Sequence, residues 1–447
     1  MNSDIATSTN VKPVSKKTPP EAKAAIKGAF LGFFIDMFDI YLPVICLAPA
    51  MVYFLPKDLP VTTTNTLFYI TLAVTLLGRP LGAVIFGHFG DKIGRKKSSL
   101  ISVAGFAVMT LLIGVLPGYQ TLGLAAGGLL LAFRFIDGIF LGGQYSTAVP
   151  LAMEYAPKSK RGLYGGIIQS GFPVAYILVS IITSFMLKYM PAGGLDSPYI
   201  QYGWRIPFVA GFFISLGYLW FYYKNVEESK SWEKTEKVKI PLVEVLSGES
   251  LRNFLQVFIL MNGLFFLANS ILFAIPGILI NILKMPAFLV TNVMMGVYVV
   301  DFFAYIIGGA LSQIIGRRKL FIITGVLSCT ILPYIYYLVV KYGTTMGSFA
   351  LFVCISILIA VTFGGSFSFS MPYINERFKT SIRSSGFGMG YSFGVIIPSF
   401  YSFYMLALKG IVPYEYTQIV LQVLGGVLTV IGAAMGPETK DIDLGPS

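Results

Sequence analysis

Between residues 28 and 435 the chain offers about a dozen stretches of roughly 20 residues or more, each carrying at most two charged side chains. A helix of that length crosses the roughly 30 Å hydrocarbon core of a bilayer. Inside a bilayer every backbone N–H and C=O must find its partner within the protein, so the stretches have to be helices. Charged residues make up 12% of the chain, about half the share of a soluble domain. This excludes a disordered chain, a fibrous protein and an ordinary cytosolic enzyme, and predicts an all-α integral membrane protein.

The apolar runs place helices over 28–53, 66–88, 98–117, 122–152, 162–188 and 204–223, and then over 253–282, 287–312, 319–340, 347–370, 384–408 and 415–435. The expected organisation is a polar tail (1–27), a six-helix bundle (28–223), a Lys/Glu-rich linker (224–252), a second bundle (253–435) and a tail (436–447). The polar first 27 residues and the length of the first apolar run speak against a cleavable signal peptide, and the 1–27 tail is expected to be disordered. Lys and Arg fix the topology. Twenty-five of the 33 lie on the side of the N-terminus, and five (Lys57, Lys188, Lys284, Lys341 and Lys409) lie on the other. Arg79, Arg134 and Arg205 fall within or at the edge of spans. Basic loops face the cytoplasm, so both termini are expected there, in a multi-pass protein of the cell membrane. The same bias accounts for the net charge of +12 without a nucleic-acid partner.

An internal repeat divides the chain. Gly87-His-Phe-Gly-Asp91-Lys-Ile-Gly94-Arg95-Lys96-Lys97 follows the second helix, and Gly309-Ala-Leu-Ser-Gln313-Ile-Ile-Gly316-Arg317-Arg318-Lys319 follows the eighth, 222 residues later. The same offset carries Glu154 to Glu376, Arg161 to Arg383 and Gly166 to Gly388. Six-helix units repeated in parallel place a ligand site at the midplane between the halves. The repeated loop reads as a latch. Gly87 permits close packing, Gly94 and Gly316 make turns, and Asp91 can face the positive end of another helix. Arg95, Lys96, Arg317 and Arg318 can reach acids of the opposite half, with Glu154, Arg161, Glu376 and Arg383 as further members. Gln313 stands where the first copy has Asp91, which predicts a weaker second latch.

Arg79-Pro80-Leu81-Gly82 running into this loop resembles the signature of the major facilitator superfamily. RFIDGIFLGGQ (134–144), EYAPKSKRG (154–162), GWRIPF (203–208) and PYINERFKTSIRSSGFGMG (372–390) are similar to the metabolite:proton symporter family within it. PETK (437–440) resembles the C-terminal tag of the related sugar porters. The resemblance implies twelve helices in two pseudo-symmetric bundles and proton-coupled uptake of a small metabolite by alternating access. Two positions depart from the family pattern: Gln144 replaces a usual Glu, and Asp36-Met37-Phe38-Asp39 replaces a Glu-Trp-Tyr-Asp run.

Charges at membrane depth are costly and mark function. They are Asp36 and Asp39 in the first helix, Arg79 in the second, Arg134 and Asp137 in the fourth, and Asp301 in the eighth. Asp36/Asp39 and Arg134/Asp137 are each spaced i,i+3 and so share a helix face. If helices one and four touch, three acids face one arginine. A desolvated acid beside a like charge can take up and release a proton. In sugar porters an Asp of helix one pairs with an Arg of helix four, and the resemblance assigns those places to Asp39 and Arg134. Asp39 is therefore the expected proton carrier, with Asp36 or Asp137 modulating it. Arg79 is expected near the cytoplasmic gate. Asp301, at the repeat position equivalent to Arg79, is left open between a proton or substrate site and structural pairing. Gln169, Asn262, Asn269 and Tyr391 are the polar candidates for a substrate pocket.

Cys46, Cys329 and Cys354 read as small core residues, and no metal-ligand spacing or nucleotide-binding loop is present. No cofactor is expected; a proton gradient supplies the energy, and the partners are protons, a small-molecule substrate and the bilayer, in a monomer. The expected function is proton-driven import of a small polar metabolite, an organic acid or zwitterion. Sugar:proton symport is the first alternative, followed by a drug-type exporter and a transporter-like receptor without a transport cycle.

Overall fold

The computed structural model describes residues 19–56 and 61–445, and these form helices and connecting loops. The expectation of disorder over residues 1–18 and the placement of Lys57 lie outside the described residues. Twelve spans run back and forth, labelled here α1 (Pro20–Phe54), α2 (Val61–Ile93), α3 (Arg95–Val115), α4 (Leu124–Tyr155), α5 (Lys158–Tyr189) and α6 (Tyr199–Asn225). The second half contains α7 (Gly248–Ile282), α8 (Ala287–Ile315), α9, α10 (Ser348–Asn375), α11 (Thr380–Leu408) and α12 (Tyr414–Met435). Eleven of these are continuous by length and apolarity. The twelfth, α9, is a pair, Arg317–Cys329 and Ile331–Tyr342, bent by 41°.

The first helix starts inside the segment expected to be a disordered tail. Pro20 occupies its first turn, where a missing N–H costs no bond and the fixed φ suits a helix. Two short helices, Lys230–Lys234 and Pro241–Val245, punctuate the linker.

Each turn between α2 and α3, and between α8 and α9, is a single glycine at positive φ: 110° at Gly94 and 109° at Gly316. Residues with a Cβ rarely adopt that conformation, so these two glycines let the chain reverse without a loop. Within spans, hydroxyls bond back to the preceding turn, as Ser146 does to the Gly142 carbonyl at 2.6 Å and Thr362 to that of Leu358 at 2.7 Å. In lipid this satisfies a group that water cannot reach.

The halves meet along two mirrored seams of small residues. On one, Gly87 of α2 lies against the Ser385 backbone of α11. On the other, Gly162 and Gly166 of α5 lie against Gly309 and Tyr305 of α8, so closely that an added Cβ would fall 2.2–2.4 Å from a carbonyl oxygen. Backbone approach of this kind drives helix association where lipid removes the hydrophobic incentive. The start of α1, the linker and the C-terminal residues lie at one end of the bundle: Glu21 stands 3.9 Å from Lys230, and Arg161 donates to the Ile442 carbonyl. This basic end is where the halves are fastened.

Candidate functional site

The fastening is a pair of crossed ion clusters. Glu154 of α4 receives Arg95 of its own half at 2.9 Å and Arg383 of the opposite half. Glu376, its repeat counterpart, receives Arg317 of its own half and Arg161 of the opposite half, both at 3.0 Å. Each acid thus holds one guanidinium from either side, and all six side chains are almost wholly buried. Asp91 accepts the backbone N–H groups of Ser384 at 3.0 Å and Ser385 at 2.9 Å, the first turn of the α-helical part of α11, where a helix concentrates positive potential. Gln313 takes the mirrored place and accepts the Gly162 N–H at 3.2 Å.

Four expectations for this end need correction. Arg95 and Arg317 do not bind acids of the other half: the link of Arg95 across the seam is to the Thr380 carbonyl at 2.8 Å, because Glu154, its acid, lies on α4, and Arg317 pairs with Glu376 of its own half at 3.0 Å. Lys96 and Arg318 do not span the halves. Lys96 reaches the Tyr223 carbonyl and Arg318 the carbonyls of Ala433 and Ala434, since one residue beyond Arg95 or Arg317 a helix has turned to face its own bundle.

Sequence reasoning missed Glu228. Three residues past the end of α6, it accepts the backbone N–H of Lys96 at 3.0 Å. Three residues past α12, Glu438 does the same for Arg317 (2.9 Å) and Arg318 (3.1 Å). Both carboxylates cap a helix N-terminus just after its turning glycine. The next residue after Glu228, Ser229, donates to Glu154, and Trp232 donates to the Asp91 carbonyl at 2.9 Å. The repeated dipeptides Glu228-Ser229 and Glu438-Thr439 were the available signal.

Near the middle of the spans lies a second group of charges, centred on the N-terminal half. The Arg134 guanidinium meets Asp137 at 2.8 Å and Asp39 at 3.4 Å; Asp39 also accepts the Thr110 hydroxyl. Asp36 does not face Arg134. It pairs with Arg79 at 2.9 Å, and Arg79 stands at mid-span rather than at the gate. The i,i+3 step between the two aspartates is about 60° of helix rotation, enough to give each a different neighbour. Two acids, not three, share Arg134. Gln144, where a Glu was expected, packs against Gly32 beside Tyr218.

Of the polar pocket candidates, Gln169 reaches between halves, 3.4 Å from both the Tyr145 hydroxyl and the Phe367 carbonyl. Tyr391 packs against Tyr145 across the seam, with rings tilted and centroids 4.4 Å apart, and meets Phe265 at 5.2 Å. Asn269 braces α7 to α11 through the Pro398 carbonyl at 2.7 Å, and Asn262 donates to Phe258 of its own helix. Asp301 is fully buried, and among the described residues no cation pairs with it. Cys46 lies 2.8 Å from the Thr183 hydroxyl, and all three cysteines are free.

This arrangement can do two things chemically: hold one end of a two-bundle body shut with charge, and store protons on buried carboxylates next to a fixed cation. Comparison with known proteins agrees with the architecture. The model of the Major Facilitator Superfamily matches residues 29–400. The shikimate transporter of Escherichia coli K12 is 31% identical over 394 residues, covering 84% of this chain and 85% of that protein. The alpha-ketoglutarate permease of the same organism is 29% identical over 379 residues, covering 82% and 83%. The solved proton:xylose symporter XylE superposes with a TM-score of 0.77 at 17% identity, over 96% of this chain and 98% of that one.

Proposed function

The chain belongs to the Major Facilitator Superfamily and is a multi-pass membrane transporter of small molecules rather than an enzyme; from that premise we propose that it imports a small polar metabolite, an organic acid or a zwitterion, by proton symport. The observation that carries this reading is the buried Asp39–Arg134–Asp137 cluster. Arg134 is permanently cationic and balances one carboxylate. The second carboxylate has no further cation, so it is the group that gains a proton from one side and gives it up on the other. Asp39, which has the longer contact to Arg134 and faces α3 through Thr110, is the proposed carrier.

The basic end is read as cytoplasmic, by the excess of Lys and Arg there. With that end fastened by Glu154, Glu376 and Asp91, the midplane is served from outside. Binding of proton and metabolite together shifts the balance toward the state in which the two seams part, by no more than their differential affinity for the two states. Relatives named for shikimate and alpha-ketoglutarate support a carboxylate-bearing cargo. Sugar:proton symport is the second reading, supported by the Asp39–Arg134 pair and by Gln169 between the halves.

The test is uptake into proteoliposomes under an imposed pH gradient, using a panel of carboxylates, zwitterions and sugars. Wild-type protein accumulates its substrate only when the gradient is present. Asp39→Asn loses accumulation but retains counterflow exchange; accumulation intact in that variant overturns the assignment of the carrier. Ligand binding without any uptake identifies a receptor instead.

A further inference from the structure

We propose that Asp301 of α8 is a subsite for a positively charged nitrogen, so that the cargo is a zwitterion rather than a plain anion or a sugar; this rests on the import function proposed above and narrows its substrate class. The starting point is a contrast among the buried acids at membrane depth. Asp36, Asp39 and Asp137 each contact a guanidinium. Asp301 contacts none, is fully buried, and among the described residues has no side-chain hydrogen-bond partner, with only the Gly364 backbone N–H beside it. An ionised carboxylate buried without a counter-charge is costly, and a ligand that brings a cation removes that cost.

The surroundings suit such a ligand. A π-helical turn of α10, Ala360–Gly365, passes Asp301, and π turns recur at functional sites. Within it Gly364 leaves space for the carboxylate: an added Cβ would lie 2.2 Å from Asp301 Oδ1. Aromatic rings from both halves assemble beside it. Tyr176 of α5 stacks on Tyr298 of α8 with centroids 3.9 Å apart, and Tyr41 of α1 packs edge-on to Tyr176 at 5.0 Å. Phe172 meets Phe363 at 4.8 Å, and Phe363 meets Tyr305 at 5.9 Å. Tyr298 and Tyr305, three residues before and four after Asp301, share its face of α8, and the buried Tyr305 hydroxyl has no partner among the described residues. Ring faces attract cations, most strongly where water is excluded. A sugar hydroxyl can bond to the carboxylate but brings no counter-charge.

The opposite pole is in the other half. Arg79 holds the repeat position equivalent to Asp301, each fifteen residues before its turning glycine. Its guanidinium is paired with Asp36 at 2.9 Å, so a cargo carboxylate would share it with that acid. The N-terminal half thus answers the unpaired Asp301 with an arginine already balanced by an acid, and the ammonium end of the cargo is the part that Asp301 selects.

Two isosteric pairs test this by calorimetry on the full chain in lipid nanodiscs. Glycine betaine is compared with 3,3-dimethylbutyrate, which has carbon in place of the nitrogen, and 4-aminobutyrate with pentanoate. At least one zwitterion is expected to bind about tenfold or more tightly than its isostere. Asp301→Asn is expected to bring that ratio near one with the isostere's affinity unchanged, and Tyr298→Leu to reduce the ratio while keeping the carboxylate. Equal binding within both pairs, no binding by either zwitterion, or a ratio that survives Asp301→Asn overturns the subsite. Gradient-driven uptake of a carboxylate with no preference within either pair overturns the subsite and leaves proton symport standing. A binding preference with no response to a pH gradient does the reverse.

Discussion

The two halves are near copies at the fastened end and unlike at the centre. At the basic end each acid, Glu154 or Glu376, is gripped by an arginine from either side, and each turning glycine is followed by a helix capped by a glutamate, Glu228 or Glu438. At mid-span the N-terminal half carries two arginines and three aspartates in two ion-paired groups, Asp36–Arg79 and Asp39–Arg134–Asp137, whereas the C-terminal half carries Asp301 with no cation beside it among the described residues. The contrast teaches a division of labour. A gate that must close on two sides needs matched parts, while proton storage and cargo selection need different groups and can be placed in different halves.

The largest expected effect comes from removing the central cation. Arg134→Gln leaves Asp39 and Asp137 buried without a counter-charge, and deleting one member of such a cluster costs about 3–5 kcal/mol. A pronounced fall in thermal midpoint and loss of accumulation are expected. Asp301→Asn removes a charge that has no partner, so its midpoint should stay level or rise. Equal destabilisation by the two variants would break the contrast between the centres.

Next come the crossed acids. Glu154→Gln and Glu376→Gln each strip a charge from two buried arginines, and a loss of about 3 kcal/mol in closure corresponds to roughly a hundredfold. The readout is modification of a cysteine introduced at Ser385, which lies against Gly87, in a chain whose three native cysteines are replaced. Labelling should rise similarly in both variants; a large difference would deny that the two clusters are equivalent.

Smaller is the difference between Asp91 and Gln313. A hydrogen bond to a charged group contributes about 1.5–3 kcal/mol and a neutral one about 1, so Asp91→Asn should raise labelling about tenfold and Gln313→Ala less than half as much. The turns give the matched control: Gly94→Ala and Gly316→Ala force a side chain into a region that only glycine readily adopts, at about 1–3 kcal/mol each, and against Glu228 and Glu438, read as equal drops in thermal midpoint.

Much of this was legible in the sequence because it is one-dimensional. Apolar length gives the spans, and a fixed offset of 222 residues pairs Glu154 with Glu376 and Arg161 with Arg383 before any coordinates. That Asp91 meets a helix N-terminus followed from an acid at the membrane edge. Partners set by helix rotation were not legible. Asp36 shares a face with Asp39 by spacing, yet the two part company, Asp36 to Arg79 of α2 and Asp39 to Arg134 of α4. Lys96 and Arg318 looked like latch cations by charge alone, but one step along a helix points them home. Glu228 sits in a linker whose many charges hide it, and its partner is a backbone amide that carries no sequence signal.

The C-terminal residues are woven into the fastening, with Glu438 on the start of α9 and the Ile442 carbonyl on Arg161. Trimming the chain after Met435, or abutting a fluorescent reporter there for purification, is therefore no neutral edit. It would loosen the inner door from outside the hinge, and a laboratory could mistake the resulting leak for a property of the native carrier.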